Sequence, residues 1–595
     1  MNLRNILLVA AMLSVALSVF GQDTVTDDAV CNDEFAKFIV DQQVSEGRWV
    51  AETDKRVRIL TRSADFLWKF DQPKAREYFT EAFKVASDRF AEKGFEKKND
   101  AGLTVQLPDY RFEVVKAIAK HDGVWARKLT EDLLKEYEKA AKDRDGLDKN
   151  RELNAIMDIA ISNVASNPSL SWYLFRRVMR EPADYHWMWA LYSVDGKNKL
   201  FALQLYDELL RNYANELPSK LLFFSAYPFG RPNVFGFDRT SYSTGIAESF
   251  VGDLNLQARF LDTFLRRSDS YASDPANLNV VPEKYRQPEA VYIITALQEL
   301  EPLVLQTHPA FLPRFGIVRS KAFAMLSDEN KKSMDERDKW SESLKTPFEK
   351  RIADLEKAEE EGRLTDGMIL GVLIHAGIKK EENFKIFETW LDKVVDGNAR
   401  NQMVNYFWFL RSKLAIKEKR LADAEQFAKR VPEVEHQAIL LFEIAEEQLK
   451  NMNDTPSAYQ TLADVSKTAR RAEDSVGKAR VYLGLANLYE KLNHSFPISE
   501  LSDAVLVINK LKEGDLLSSS VFRTIKTKDM SFFASFGIPN YDLEKTFQTT
   551  SKNDFSLPLS NAKAIDDKFY RTIAVIAIAK NCIDKPKKKA PVAAQ

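Results

Sequence analysis

Cysteine is nearly absent, with only Cys31 and Cys582 in a chain of 595 residues. They lie at opposite ends, which excludes the disulfide framework that holds small secreted domains together and leaves at most one end-to-end bridge open to the chain. Glycine and proline are scarce as well, 21 of each, against roughly 12% usual for the two together. With few turn formers and 29% charged residues, helices are favoured over sheets. The histidines are His121, His186, His308, His375, His436 and His494, and no two stand three or four apart. That excludes a local helical zinc motif, because both imidazoles must project from one face. A Gly-rich phosphate loop, a Gly-x-Ser-x-Gly elbow and a Cys-x-x-Cys pair are missing too. No cofactor or metal is therefore expected, and an ordinary enzyme is disfavoured. The formal net charge of −1 leaves no basic footprint for nucleic acid.

What is present begins with a leader. Arg4 precedes an apolar run from Ile6 to Phe20 that ends in Gly21-Gln22, the order of a secretory signal peptide. The run is about 15 residues, short of the roughly 20 that cross a bilayer. The reading is cleavage between Gly21 and Gln22 and an extracytoplasmic location, periplasmic or secreted. No later run reaches membrane length, so stable membrane insertion is not expected. With 45% apolar residues and 38 phenylalanines, the chain has ample material for a core.

Two segments near the C-terminal end match: Ala438-Ile-Leu-Leu-Phe-Glu-Ile-Ala445 and Ala479-Arg-Val-Tyr-Leu-Gly-Leu-Ala486, 41 residues apart. Leu410 and Leu414 stand 35 residues before Ala445 and Leu449, while Pro456 and Pro497 open following helices, again 41 apart. Such periods announce stacked helix pairs, because one pair cannot bury its apolar face alone. A small-bulky spacing recurs at Ala75, Phe79, Ala82; at Ala202, Tyr206, Leu209; at Ala424, Ala428, Val431; and at Ala458, Leu462, Val465. It marks the second helix of successive pairs.

Leu485-Ala486-x-x-Tyr489 with Tyr482, and Ala75, Phe79 and Ala82, resemble the first-helix and second-helix patterns of the tetratricopeptide repeat. The resemblance is specific over residues 57–92 and 402–510. It implies an all-α fold, an α-solenoid of antiparallel helix hairpins in two arcs. The layout also resembles large, signal-bearing bacterial repeat proteins. The domain reading is a signal peptide over 1–21, an N-terminal helical repeat domain over 22–326 with an aromatic loop at 227–237, and a charged linker over 327–345. A tetratricopeptide-like domain over 346–582 and a disordered Lys-rich tail over 583–595 follow. Val521 to Phe536 alternates as a short hairpin would, and a helix pair from Asp554 to Cys582 is expected to cap the array.

Candidate chemistry is sparse. Asp143-Arg-Asp145-Gly146-Leu-Asp148 gathers carboxylates round a glycine but misses the EF-hand spacing, so a solvated loop is expected. Ile246-Ala-Glu248-Ser249 resembles the Glu-Ser of lytic transglycosylases without their downstream segment, and Glu248 reads as an ordinary carboxylate. No catalytic residue is therefore assigned. The unusual segment is Tyr227-Pro-Phe229-Gly230-Arg231-Pro-Asn-Val-Phe235-Gly-Phe237, an aromatic loop with an arginine. Such a composition suits binding, or else plugs a groove. Tyr227, Phe229, Arg231 and Phe235, with Trp187 and Trp189 nearby, are the candidate binding residues. The functional expectation is a non-catalytic extracytoplasmic scaffold for a protein or peptide partner, with a cell-wall polymer as another ligand. The rival is an all-α polysaccharide lyase or hydrolase whose site gathers from distant helices.

Overall fold

The computed structural model describes residues 31–94, 96–98, 104–106, 108–140, 147–237, 242–246, 250–278, 287–332, 347–375, 378, 380–450, 453–492, 497–538 and 540–583. The leader with Gly21 and Gln22, the loop 143–146, Glu248, linker residues 333–345 and tail residues 584–595 lie outside them. In chain order the principal elements are α1 (Asp33–Gly47), α2 (Thr53–Leu67), α3 (Gln72–Lys93), β1 (Glu96–Lys98), β2 (Thr104–Gln106), α4 (Tyr110–Ala119) and α5 (Gly123–Ala140). There follow α6 (Leu147–Asn163), α7 (Pro168–Val178), α8 (His186–Asp195), α9 (Lys199–Asn212), α10 (Leu254–Ser273), α11 (Glu289–Thr307) and α12 (Leu312–Ala324). Next come α13 (Phe348–Glu360), α14 (Asp366–His375), α15 (Glu381–Leu391), α16 (Gly397–Lys417), α17 (Leu421–Ala428), α18 (Val434–Lys450), α19 (Thr455–Arg471), α20 (Val476–Glu490) and α21 (Pro497–Ile508). The last are β3 (Ser520–Lys526), β4 (Ser531–Gly537), α22 (Leu543–Thr550), α23 (Ser556–Lys563) and α24 (Lys568–Ile583). Among the described residues the protein is thus multi-helix and essentially all-α, with two small antiparallel hairpins.

Two compact units divide the chain. One combines residues 1–85 with 344–595, and the other is 86–343. In the first, α16 packs on α17, α18 on α19 and α20 on α21, as a helical-repeat architecture requires. The helices that open these pairs also touch one another, in the order α16, α18, α20, α22, α24 and then α2. The small residues have the expected use: Ala424, Ala428, Val431, Ala458 and Leu462 are wholly buried. At Gly484 an added Cβ would stand 2.5 Å from the Phe442 ring and 3.0 Å from Tyr541, so glycine is what lets α20 approach both. Helix starts are set by short polar side chains, with Asp454 accepting from the Ser457 N–H and Ser475 from the Lys478 N–H.

The pair from Asp554 to Cys582 does not cap the array. Helix α1, from the other end of the chain, lies along α24, and α2 packs beside them. The two are antiparallel. Cys31 and Cys582 form a disulfide at one end of the pair, with Cα atoms 4.9 Å apart, and Arg571 meets Glu46 at 3.5 Å at the other. The bridge therefore stands where a loop joins the two helices of other pairs. Glu544 of α22 ties the neighbouring helices together, because Lys580 of α24 bonds it at 3.0 Å and Arg62 of α2 bonds it too. The reason α24 needs this cover is visible in its sequence: Ile573 to Ala579 is buried on every side, so one pair of neighbours would leave apolar surface in water.

The hairpin of β3 and β4 lies against the layer of opening helices. Phe532 meets Tyr406 at 5.2 Å and Phe536 meets Phe409 at 4.8 Å between ring centroids. Its tip is pinned by Asp529, whose carboxylate accepts from the Thr365 hydroxyl at 2.6 Å and the Gly367 N–H at 3.0 Å. These bonds, the Thr365 hydroxyl first, hold that carboxyl below its usual pKa.

The second unit repeats the scheme. Helices α4, α6 and α8 form one contiguous layer, each backed by its partner α5, α7 or α9. Ala202, Tyr206 and Leu209 of α9 are wholly buried.

Candidate functional site

In the second unit, α8 carries the aromatic run that the sequence singles out. Its residues divide by helical spacing. Trp187, Met188, Ala190, Leu191 and Val194 are buried, while Tyr185, just before the helix, and Trp189, one turn on, are each 40% exposed. Their four-residue separation places them one above the other. Trp187 is core: its ring lies 5.9 Å from Phe175 and 6.5 Å from Tyr213.

The aromatic loop folds inward against this helix. Tyr227 is buried, donating its hydroxyl to Asp195 at 2.7 Å, and its ring packs 5.7 Å from Tyr206 and 5.5 Å from Phe250. Burial and the Asp195 carboxylate together push that phenol far above its ordinary pKa. Phe235 is buried 5.4 Å from the half-buried Phe229, and its N–H donates to Ser225 Oγ at 3.1 Å. Gly230, with φ 61°, supplies the left-handed turn that ends the short helix Ala226–Phe229. Arg231 then emerges exposed, its carbonyl held by the Tyr192 hydroxyl at 2.7 Å. The six candidate residues are therefore split. Trp189 and Arg231 face solvent, Phe229 is partly covered, and Trp187, Tyr227 and Phe235 are interior. The buried three position the exposed ones.

A polar cluster borders Tyr185, and no spacing in the sequence signals it because its members come from α6 and from the start of α8. His186 Nδ1 bonds the Asp184 carboxylate, and its Nε2 lies 2.9 Å from the Asn154 side-chain amide. Both ring nitrogens of His186 are thereby engaged. Burial raises the Asp184 carboxyl, but the His186 side-chain and backbone bonds outweigh it and leave the pKa below the ordinary value. Asp158, one turn beyond Asn154 on α6, behaves oppositely. Burial raises its pKa, and the charges of Lys116 and His186 offset this only in part. Two carboxyl groups near one imidazole are thus biased in opposite directions. An aromatic shelf continues from Tyr185 through Tyr242 at 5.1 Å and Phe237 at 5.0 Å to Tyr292 at 4.8 Å.

His436, in the first unit, is buried between Phe409 and Phe536, each about 6.2 Å away, and neither ring nitrogen has a hydrogen-bond partner. Burial first, and the Arg523 guanidinium second, bring its pKa down to about 4. Among the described residues no group of three or more His, Cys, Asp or Glu is arranged to hold a metal ion. No described helix is long and apolar enough to cross a membrane. No family model matches the chain, and no curated protein matches it.

Proposed function

We propose that this protein is an extracytoplasmic, non-catalytic scaffold of tetratricopeptide-like helix pairs that binds a protein or peptide partner. The observation that carries the reading is the exposed stripe of α8, where Tyr185 and Trp189 stand one turn apart with Arg231 exposed nearby. Aromatic side chains and arginine held on a rigid helix contribute contact area with little entropy to lose. Both nitrogens of His186 are already engaged, which suits a positioning role better than that of a general base. The extracytoplasmic part is supported by the leader and by the Cys31–Cys582 bridge, since disulfides persist in oxidising compartments.

The test is capture from the native envelope fraction with the mature chain, against Tyr185→Ala/Trp189→Ala/Arg231→Ala. A partner retained by the parent and lost by the triple variant is expected. Identical captured proteins would remove the α8 stripe as the binding surface. Fractionation checks the location, with an extracytoplasmic chain beginning at Gln22 expected and a cytoplasmic chain retaining Met1 contradicting it.

One observation favours a second reading, a polysaccharide-active enzyme: the oppositely biased Asp158 and Asp184 beside His186. It requires release of reducing sugar from a cell-wall polymer or other polysaccharide, abolished by Asp158→Asn. No release by the parent chain leaves the scaffold reading in place.

A further inference from the structure

We infer that β4 is a docking edge for an extended segment of a partner polypeptide, apolar at alternate positions and acidic toward its C-terminal end. This rests on the scaffold reading but uses a surface in the other unit.

The register of the hairpin decides which backbone groups are free. Ser520 pairs with Gly537, Phe522 with Ser535, Thr524 with Phe533 and Lys526 with Ser531. Direct bonds flank this ladder at Ile538 N–H to Ser519 O, 2.7 Å, and at Thr527 N–H to Met530 O, 2.8 Å. By antiparallel alternation the residues bonded across the hairpin are 521, 523 and 525 with 536, 534 and 532. The N–H and C=O groups of 531, 533, 535 and 537 therefore point away from β3. On the opposite edge, β3 is engaged at both ends, with Arg480 donating to Ser520 O at 3.3 Å and Lys526 N–H donating to Gln402 at 3.2 Å. No described group meets the corresponding edge of β4, and a Cβ built on Gly537 would have nothing within 4 Å.

Open edges are normally defended by charge, proline or a bulge. The β4 sequence Ser531-Phe-Phe-Ala-Ser-Phe-Gly537 has neither charge nor proline, and its register runs unbroken over seven residues. The small β1–β2 hairpin shows the contrast, since its β1 strand is Glu96-Lys97-Lys98. Beside the undefended edge, Phe522 and Phe533 are stacked at 5.5 Å and remain 57% and 61% exposed. An added strand thus gains main-chain bonds along β4 and an apolar surface for every second side chain. A strand antiparallel to β4 ends at the hairpin tip, where Lys526 and Lys528 are exposed and, among the described residues, make no ion pair. That supplies the preference for acidic residues at its C-terminal end.

The test is selection of a phage-displayed library of random dodecamers on the full mature chain and, in parallel, on Ser535→Pro and on Tyr185→Ala/Trp189→Ala. Proline at 535 removes only an outward N–H, so the hairpin's own bonds keep their donors. Phe533→Lys serves as a second edge variant if the thermal unfolding of Ser535→Pro is altered. The expected result is enriched dodecamers with alternate apolar residues and C-terminal Asp or Glu. They should bind at least tenfold more weakly to the edge variant, and as weakly when alternate peptide amides are methylated. Equal enrichment on parent and edge variant, or none on either, overturns the inference. So does a parent dimer that the edge variant turns into a monomer, which assigns β4 to a second copy. Enrichment lost only on the α8 variant leaves the scaffold reading standing and removes this one.

Discussion

At the scale of single residues, burial decides what each unusual side chain does. Gly484 sits where an added Cβ would meet the Phe442 ring, so Gly484→Ala should cost about 1–3 kcal/mol by overpacking, read as a lower urea midpoint. His436 offers a pH test. Its unfolded pKa is the ordinary 6.5 and its folded value about 4, so between those values the unfolded chain binds the extra proton. Stability is therefore full above pH 6.5 and falls as pH drops toward 4, by about 3 kcal/mol. His436→Leu should remove that part of the slope in urea titrations at pH 7 and pH 4, and an unchanged slope would contradict the burial account. The sequence singled out Trp187, Tyr227 and Phe235 by composition, yet composition does not say which face of a helix a residue occupies. Trp189 and Arg231 are exposed because of their phase and their place after Gly230, whereas Asn154, Asp158 and His186 meet only through packing of α6 and α8.

At the scale of elements, the helix pairs were legible because small and bulky residues recur at helical spacing, and the same residues prove buried. The β3–β4 hairpin was legible from alternation. Its docking was not, since the contacts of Asp529 with Thr365 and Gly367 span more than 160 residues. Asp529→Ala removes the acceptor that the Thr365 hydroxyl and Gly367 N–H share. It should loosen the tip by about 1–2 kcal/mol, seen as faster amide exchange over 520–537 with α18 and α20 unaffected. Equal exchange throughout would mean that the aromatic contacts with Tyr406 and Phe409 hold the hairpin alone.

At the scale of the whole molecule, one unit is residues 86–343 and the other combines residues 1–85 with 344–595. Nothing in the sequence of residues 33–67 shows that α1 and α2 pack with the C-terminal helices, because the partner surface lies some 500 residues away in sequence. Two cysteines at opposite ends were the one hint, and the structure joins them across 551 residues. Cys31→Ser/Cys582→Ser should cost the unit formed by residues 1–85 and 344–595 about 2–4 kcal/mol. It should release α1 from α24 first, detected as early proteolysis within residues 33–47. Binding by this protein depends on what touches α8. The most direct measurement is photo-crosslinking in intact cells with benzoylphenylalanine in place of Trp189, compared with the same group in place of Leu200, which is 73% exposed on α9. A discrete crosslinked polypeptide is expected from position 189 and none from position 200. The same pattern from both positions, or no crosslinked polypeptide from 189, would contradict it.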